Sequence, residues 1–226
     1  ICLAPDYAFV PKEKPADFVA AATQAIETMY PSGLKDNEDY TSIVNQRHYD
    51  RLMGYIDEAK SKGAEVIEIN PTGENFSQQP YHKIPPHIIV DPSDDLKVMQ
   101  DEIFGPILPI KSYSDTKQTI DYINAHDRPL GLYYFGEDAA EKDMVLNNTT
   151  SGGVTVNDVI MHVGQEDLPF GGVGPSGMGS YHGREGFMEF SHKKSVFTQT
   201  GSEMIAMIRP PYGEKFRKQV QGRLKR

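Results

Sequence analysis

The sequence predicts an α/β fold, a mainly parallel sheet flanked by helices, with a C-terminal oligomerisation strand. Three observations carry this reading. The apolar period switches repeatedly between strand-like and helix-like spacing, the two kinds of segment alternate along the chain, and 226 residues can bury a core without disulfide or metal staples. The first strand is expected over Pro5 to Val10. A helix then starts near Pro15, since proline suits a first helical turn, and Phe18, Ala22, Ile26 and Met29 recur on one face until Pro31-Ser32-Gly33 ends it. A second helix over Asn45 to Lys62 carries Tyr49, Leu52, Ile56 and Ala59 at helical spacing and stops near Gly63. Strands follow at Glu65 to Ile69, His87 to Val90, Ile107 to Tyr113, Leu132 to Phe135 and Gly153 to Val156. Between them lie helices at Asp115 to His126, with Ser114 as N-cap, and at Ala139 to Asn147, with Asp138 as N-cap. From Gly164 the chain is dense in glycine, which marks turns and close backbone approaches of the kind found near ligands. The alternation of Val196 and Thr198 with Phe197 and Gln199 predicts a last strand over Lys194 to Thr200, an edge suited to pairing with a second subunit.

Composition narrows the function classes. A net charge of −9 argues against a general nucleic-acid surface, because phosphate binding needs clustered Lys and Arg. Residues 215–226 alone carry six cations and no acid, and are expected to form a solvated basic tail. No apolar run approaches the roughly 18 residues needed to cross a bilayer. The chain begins at Ile1 with no basic segment leading into an apolar one, which reads as the start of a piece cut from something longer. A single cysteine can form no internal disulfide, and a reducing cytoplasm is the expected compartment. Seven scattered histidines give no metal-ligand spacing, so no metal site is expected.

Taken alone, Cys2 reads as a small buried hydrophobe beside Ile1, Leu3 and Ala4. The segment from Leu168 to Gly179 lacks the Lys-Ser/Thr of a P-loop. Gly172 to Gly177 fits G-x-G-x-x-G, but without a convincing strand ahead or an acidic residue behind it reads as a loop.

Four stretches in order and register resemble one family. Ile1-Cys2-Leu3-Ala4-Pro5-Asp6-Tyr7, Gln100-Asp101-Glu102-Ile103-Phe104-Gly105-Pro106, Val156-Asn157-Asp158, and Pro169-Phe170-Gly171-Gly172 followed by Ser176-Gly177-Met178-Gly179 are similar to the aldehyde dehydrogenase superfamily. Gly177 to Gly183, with Phe190-Ser191-His192-Lys193-Lys194, resembles the branch holding class 3 and bacterial coniferyl aldehyde dehydrogenases. The resemblance runs from Cys2 to about Thr200.

The resemblance implies oxidation of an aldehyde to a carboxylic acid, with Cys2 as the nucleophile that passes through a thiohemiacetal and a thioester. It implies NAD or NADP as cofactor, Glu102 on the hydroxyls of the nicotinamide ribose and Phe104 near the nicotinamide. Phe170 is implied as an aromatic wall of the substrate pocket, with Ile160 and His162 in the loop lining its entrance and Asn157 orienting that loop. Residues 1–190 are then the thiol-bearing catalytic domain, 191–200 an oligomerisation strand and 201–226 a C-terminal extension. By the same resemblance a homodimer is expected. The dinucleotide domain, the general base and an oxyanion asparagine are expected upstream of this chain, so the chain alone is expected to be inactive. Two alternatives stay open: a non-catalytic assembly piece of this fold, and a relative that passes the acyl group to coenzyme A.

Overall fold

A computed structural model describes residues 1–201, 205 and 209–224 of the chain. The chain divides into a larger unit, Ile1–Glu189, and a smaller one, Phe190–Arg226. In the larger unit β1 (Ala8–Pro11), β2 (Glu65–Glu68), β3 (His87–Val90) and β4 (Ile107–Tyr113) make a four-stranded sheet in the order β1-β4-β3-β2. Strands β1 and β3 run parallel to β4, and β2 is antiparallel to β3. Strands β5 (Gly131–Tyr134) and β6 (Gly153–Val156) form a separate parallel pair. The expected mainly parallel α/β arrangement is therefore present, but split into two sheets among the described residues.

Alternation along the buried strands sorts their side chains between two helices. Ile89 faces the cluster built on α2 (Gln46–Ser61), where Leu52, Tyr55, Ile56 and Ala59 meet Ile84, Leu96, Val98, Ile103 and Ile107. Ile88 faces the other side and joins Val10, Ile69 and Ile110 beneath Phe18, Val19, Ala22 and Ile26 of α1 (Pro15–Met29). Each such fully buried aliphatic side chain contributes roughly 2 kcal/mol of hydrophobic free energy. Met29, expected on the buried face of α1, is exposed. A third cluster joins Leu132 and Tyr134 of β5 to Ile120 of α4 (Thr116–Ala125) and Val145 of α5 (Ala139–Asn148).

Helix starts follow the capping chemistry of the sequence, with one correction. Pro15 opens α1, Asn45 Oδ1 accepts the His48 N–H at the head of α2, and Asp138 Oδ1 accepts two N–H groups at the head of α5. The cap of α4 is Asp115 rather than Ser114: Asp115 Oδ1 accepts from Lys117 N, while Gln118 Oε1 reaches back to the Ser114 N–H. A carboxylate one residue nearer the helix takes the capping position, and the glutamine satisfies the donor ahead of it.

Three helices were not expected: α3 (Lys97–Gln100), α6 (Gly183–Glu189) and α7 (Glu214–Leu224). The first is a single turn, and the second hides in glycine-dense sequence. The third gives the expected basic tail a helical form while leaving it solvated. It is helical from 214 to 224, with a Lys218 to Glu214 ion pair one turn apart and Tyr212 stacked on Phe216, although its surface is exposed; residues 225 and 226 lie outside the described residues. The strand expected over 194–200 is not formed within the chain. A strand exists by hydrogen bonding to a neighbour, and among the described residues no strand pairs with this segment.

Candidate active site

Cys2 lies in the turn that leads into β1, closed by the Ala4 N–H donating to Ile1 O at 3.0 Å. Its thiol is exposed, so the reading of an isolated buried hydrophobe does not hold. Leu3, the next residue, carries the packing instead and is buried. It sits against Gly131, where an added Cβ would come within 2.9 Å of Leu3 Cδ2. Tyr133 of β5 donates its hydroxyl to Leu3 O at 2.6 Å. This tyrosine was not singled out from the sequence, and in an alternating strand nothing marks it apart from a core aromatic.

The same turn is joined to the loop holding Glu102 and Phe104. Asp6 Oδ1 accepts the N–H of buried Ile103 at 2.9 Å. From below, Arg51 of α2 donates to Glu102 O at 3.2 Å and to Ile103 O at 2.7 Å. Tyr55 donates to Asp101 Oδ2 at 2.7 Å. The backbone is thus held on one side while the Glu102 carboxylate and the Phe104 ring face solvent, Phe104 at 55% exposure and a φ of 51°. A phenylalanine in the left-handed region is uncommon and persists only where its surroundings over-determine it. Burial pushes the Asp6 carboxyl above its ordinary range, and the Ile103 N–H opposes that shift.

The other predicted residues lie beyond β6. Asn157, at φ 56°, accepts the Gly136 N–H at 2.8 Å and donates to Gly136 O at 3.1 Å, tying the loop after β6 to the loop after β5. This is the loop-orienting geometry its motif implied. Ile160, half-buried, takes φ 69°, an outlier for a β-branched residue.

His162 is more deeply placed than a residue lining an entrance, at 7% exposure. Thr155 Oγ1 accepts the His162 N–H at 3.2 Å and lies 2.8 Å from Nδ1. Which of these two atoms donates follows the ring's tautomer, and the other ring nitrogen is Nε2. That nitrogen is buried without a partner, and burial lowers the histidine pKa, keeping the ring neutral. The ring centroid lies 6.3 Å from Tyr133 and 6.1 Å from Phe170. His162 thus belongs to the layer behind the wall.

Phe170 is half-buried and pairs through its backbone with Tyr181, exchanging two hydrogen bonds of 2.9 Å. Its ring packs edge-on to Tyr181 and stacks on His182. Glycines allow this: a Cβ on Gly171 would lie 2.1 Å from Gly179 O, and one on Gly152 would lie 2.2 Å from Gly171 O. Aromatic rings from β5 and from the segment after β6 thus form one layer near the Cys2 turn. No group of three His, Cys, Asp or Glu side chains suited to a metal occurs among the described residues. No described helix is long and apolar enough to cross a membrane.

In this α/β unit the turn holding the exposed Cys2 is joined to the Glu102–Phe104 loop through Asp6 and to β5 through Tyr133. The chain belongs to the aldehyde dehydrogenase family, whose model matches residues 1–196. It is 60% identical, over its whole length, to a protein of Caulobacter vibrioides named "Probable coniferyl aldehyde dehydrogenase", and covers 47% of that protein. It is 54% identical over 95% of its length to the coniferyl aldehyde dehydrogenase of Pseudomonas sp. strain HR199, covering 44% of that chain. A solved structure described as the substrate bound state of Staphylococcus aureus AldH superposes with a TM-score of 0.78 at 35% identity. The match covers 98% of this chain and 46% of that one. The chain therefore spans about half the length of the curated relatives it matches.

Proposed function

We propose that this chain supplies the thiol-bearing half of an enzyme that oxidises an aldehyde to its carboxylic acid with NAD or NADP. The observation that carries the reading is the meeting, around the single exposed cysteine, of the Glu102–Phe104 loop through Asp6 and of the aromatic layer through Tyr133. Cys2 as thiolate adds to the aldehyde carbonyl to give a thiohemiacetal, and its own backbone N–H is an oxyanion donor. Oxidation leaves a thioester on Cys2, which water releases as the acid.

The dinucleotide fits the residues present. Glu102 offers acceptor oxygens to a ribose diol, and Phe104 offers an exposed ring face from a loop already fixed by Arg51 and Asp6. When bound, it supplies the two-electron acceptor. Most of its contacts lie outside this chain, and so do the general base and the second oxyanion donor. The chain alone accordingly has little or no NAD-linked turnover.

Phe170, with Tyr181 beside it, suits an aryl or alkenyl aldehyde such as coniferyl aldehyde, and the names of the Caulobacter and Pseudomonas relatives agree with that class. Ile160 lines the entrance, and His162 supports it from behind. Residues 191–200, with Val196 and Phe197 exposed, serve to pair subunits in a cytoplasmic homodimer. The test is steady-state oxidation of coniferyl aldehyde and of hexanal by the full-length enzyme and by its Cys2→Ser, Glu102→Gln and Phe170→Ala variants. Cys2→Ser abolishes turnover of both, Glu102→Gln raises the KM for the dinucleotide, and Phe170→Ala costs the aromatic aldehyde more than the aliphatic one. Undiminished activity of Cys2→Ser overturns the reading.

A further inference from the structure

His162 is a polar ring in a place that an apolar side chain would fill at less cost. It is buried, and its Nε2 has no hydrogen-bond partner among the described residues. Its other polar groups both go to one atom. Thr155 Oγ1 accepts the His162 N–H at 3.2 Å and lies 2.8 Å from Nδ1, so backbone and ring are pinned to the same hydroxyl. An apolar side chain there would be held by packing alone.

The face of β6 that receives the ring is shaped for it. Residues two apart on a strand share a face, so Gly153 and Thr155 lie side by side beneath the ring. Gly153 leaves the room: a Cβ there would come within 2.5 Å of His162 Cδ2 and 2.8 Å of Nε2. Thr155 is paired in register with Tyr133 of β5, whose ring centroid lies 6.3 Å from that of His162. The His162 ring also lies 6.1 Å from Phe170, at an interplanar angle of 38°. Tyr181 and His182, which pack on Phe170 as well, belong to the same glycine-dense segment as Phe170 itself. His162 is fixed to β6 instead, and through it the position of Phe170 is referred to the sheet.

We propose that His162 is a positioning residue that determines specificity: pinned by Thr155 over Gly153, it sets the depth of Phe170 and so the fit of a flat aryl or alkenyl aldehyde against that ring. This rests on the reading of Phe170 as a wall of the substrate pocket. His162 acts through Phe170 and does not touch the substrate. A flat conjugated aldehyde stacks on one ring and feels its displacement, whereas a flexible alkyl chain adjusts to it. A misfit equivalent to one methylene group in an apolar pocket is worth roughly 10- to 200-fold in kcat/KM.

The test is the ratio of kcat/KM for coniferyl aldehyde to that for hexanal, measured in the full-length enzyme together with the melting temperature. Thr155→Val keeps the shape of the side chain and loses the hydroxyl, whereas Thr155→Ser keeps the hydroxyl and loses the methyl group. The proposal predicts a ratio lower by about fivefold or more in Thr155→Val, carried by the KM of the aromatic aldehyde, with hexanal within about twofold of the parent. In Thr155→Ser the ratio stays within about twofold of the parent. An unchanged ratio in Thr155→Val overturns the proposal; should that variant not fold, Gly153→Ala, whose methyl displaces the ring, decides in the same way. A fall in Thr155→Ser equal to that in Thr155→Val also overturns it, because packing rather than the hydroxyl would then be responsible. Phe170→Ala separates this proposal from the reading beneath it. If Phe170→Ala leaves the ratio unchanged, the wall fails and the role of His162 with it; if Phe170→Ala lowers the ratio while Thr155→Val does not, the role of His162 alone fails.

Discussion

Asp6 shows how much of the candidate site depends on a single side chain. Its carboxylate satisfies the N–H of Ile103, a residue only 1% exposed, and so holds the Glu102–Phe104 loop against the Cys2 turn. Replacing Asp6 by Ala strands that donor and is expected to destabilise the fold by about 1–3 kcal/mol, read as a lower urea midpoint at unchanged slope. An unchanged midpoint would mean the loop is held from the Arg51 side alone. At this scale the family motifs carried most of what was legible: Cys2, Glu102, Phe104, Asn157, Ile160 and Phe170 all lie on the Cys2 turn or on loops tied to it or to the β5 and β6 ends. Tyr133 stayed hidden, because its tie to the Cys2 turn rests on a hydroxyl meeting the Leu3 carbonyl far away in sequence, and no local spacing encodes that. The depth of His162 was hidden for a similar reason, since it follows from Thr155 and from the closeness of Gly153.

Elements with their own chemical punctuation were readable. Asp138 was legible as the cap of α5 and accepts the N–H groups of Ala140 and Glu141 at 2.8 and 3.0 Å. Asp138→Ala is expected to cost about 1 kcal/mol, visible as a lower melting temperature, whereas Asp138→Ser should recover most of it. Helix α6 was missed because its glycines argue against helix on propensity alone. The glycine-dense stretch from Gly164 read as turns and close backbone approaches, and at Gly171 the structure shows backbone packed directly on backbone; Gly152, ahead of that stretch, was not singled out. Gly152→Ala would drive a methyl to within 2.2 Å of Gly171 O, which side-chain motion cannot relieve. A loss of about 3 kcal/mol is expected, by the same urea measurement.

Across the whole molecule the buried histidines set the response to acid. Burial lowers the pKa of both His87 and His162, so below the ordinary histidine pKa the unfolded chain binds protons that the folded chain does not. Stability therefore rises with pH up to about 6.5 and is lost on acidification below it. The melting temperature at pH 5.5 should fall below that at pH 7.5, and His162→Gln should flatten the difference; a higher value at pH 5.5 would contradict this. The α/β class was legible because period and alternation are local properties of the chain. Division into two sheets was not, because strand partners are chosen over long distances. The central claim is that Cys2 carries the acyl group during turnover. Its most direct test is to quench the full-length enzyme in acid during steady-state oxidation of coniferyl aldehyde and measure the mass of the peptide containing Cys2. The account predicts that peptide heavier by the acyl group of the substrate, and absent from the Cys2→Ser variant. Full turnover with Cys2 unmodified would contradict it.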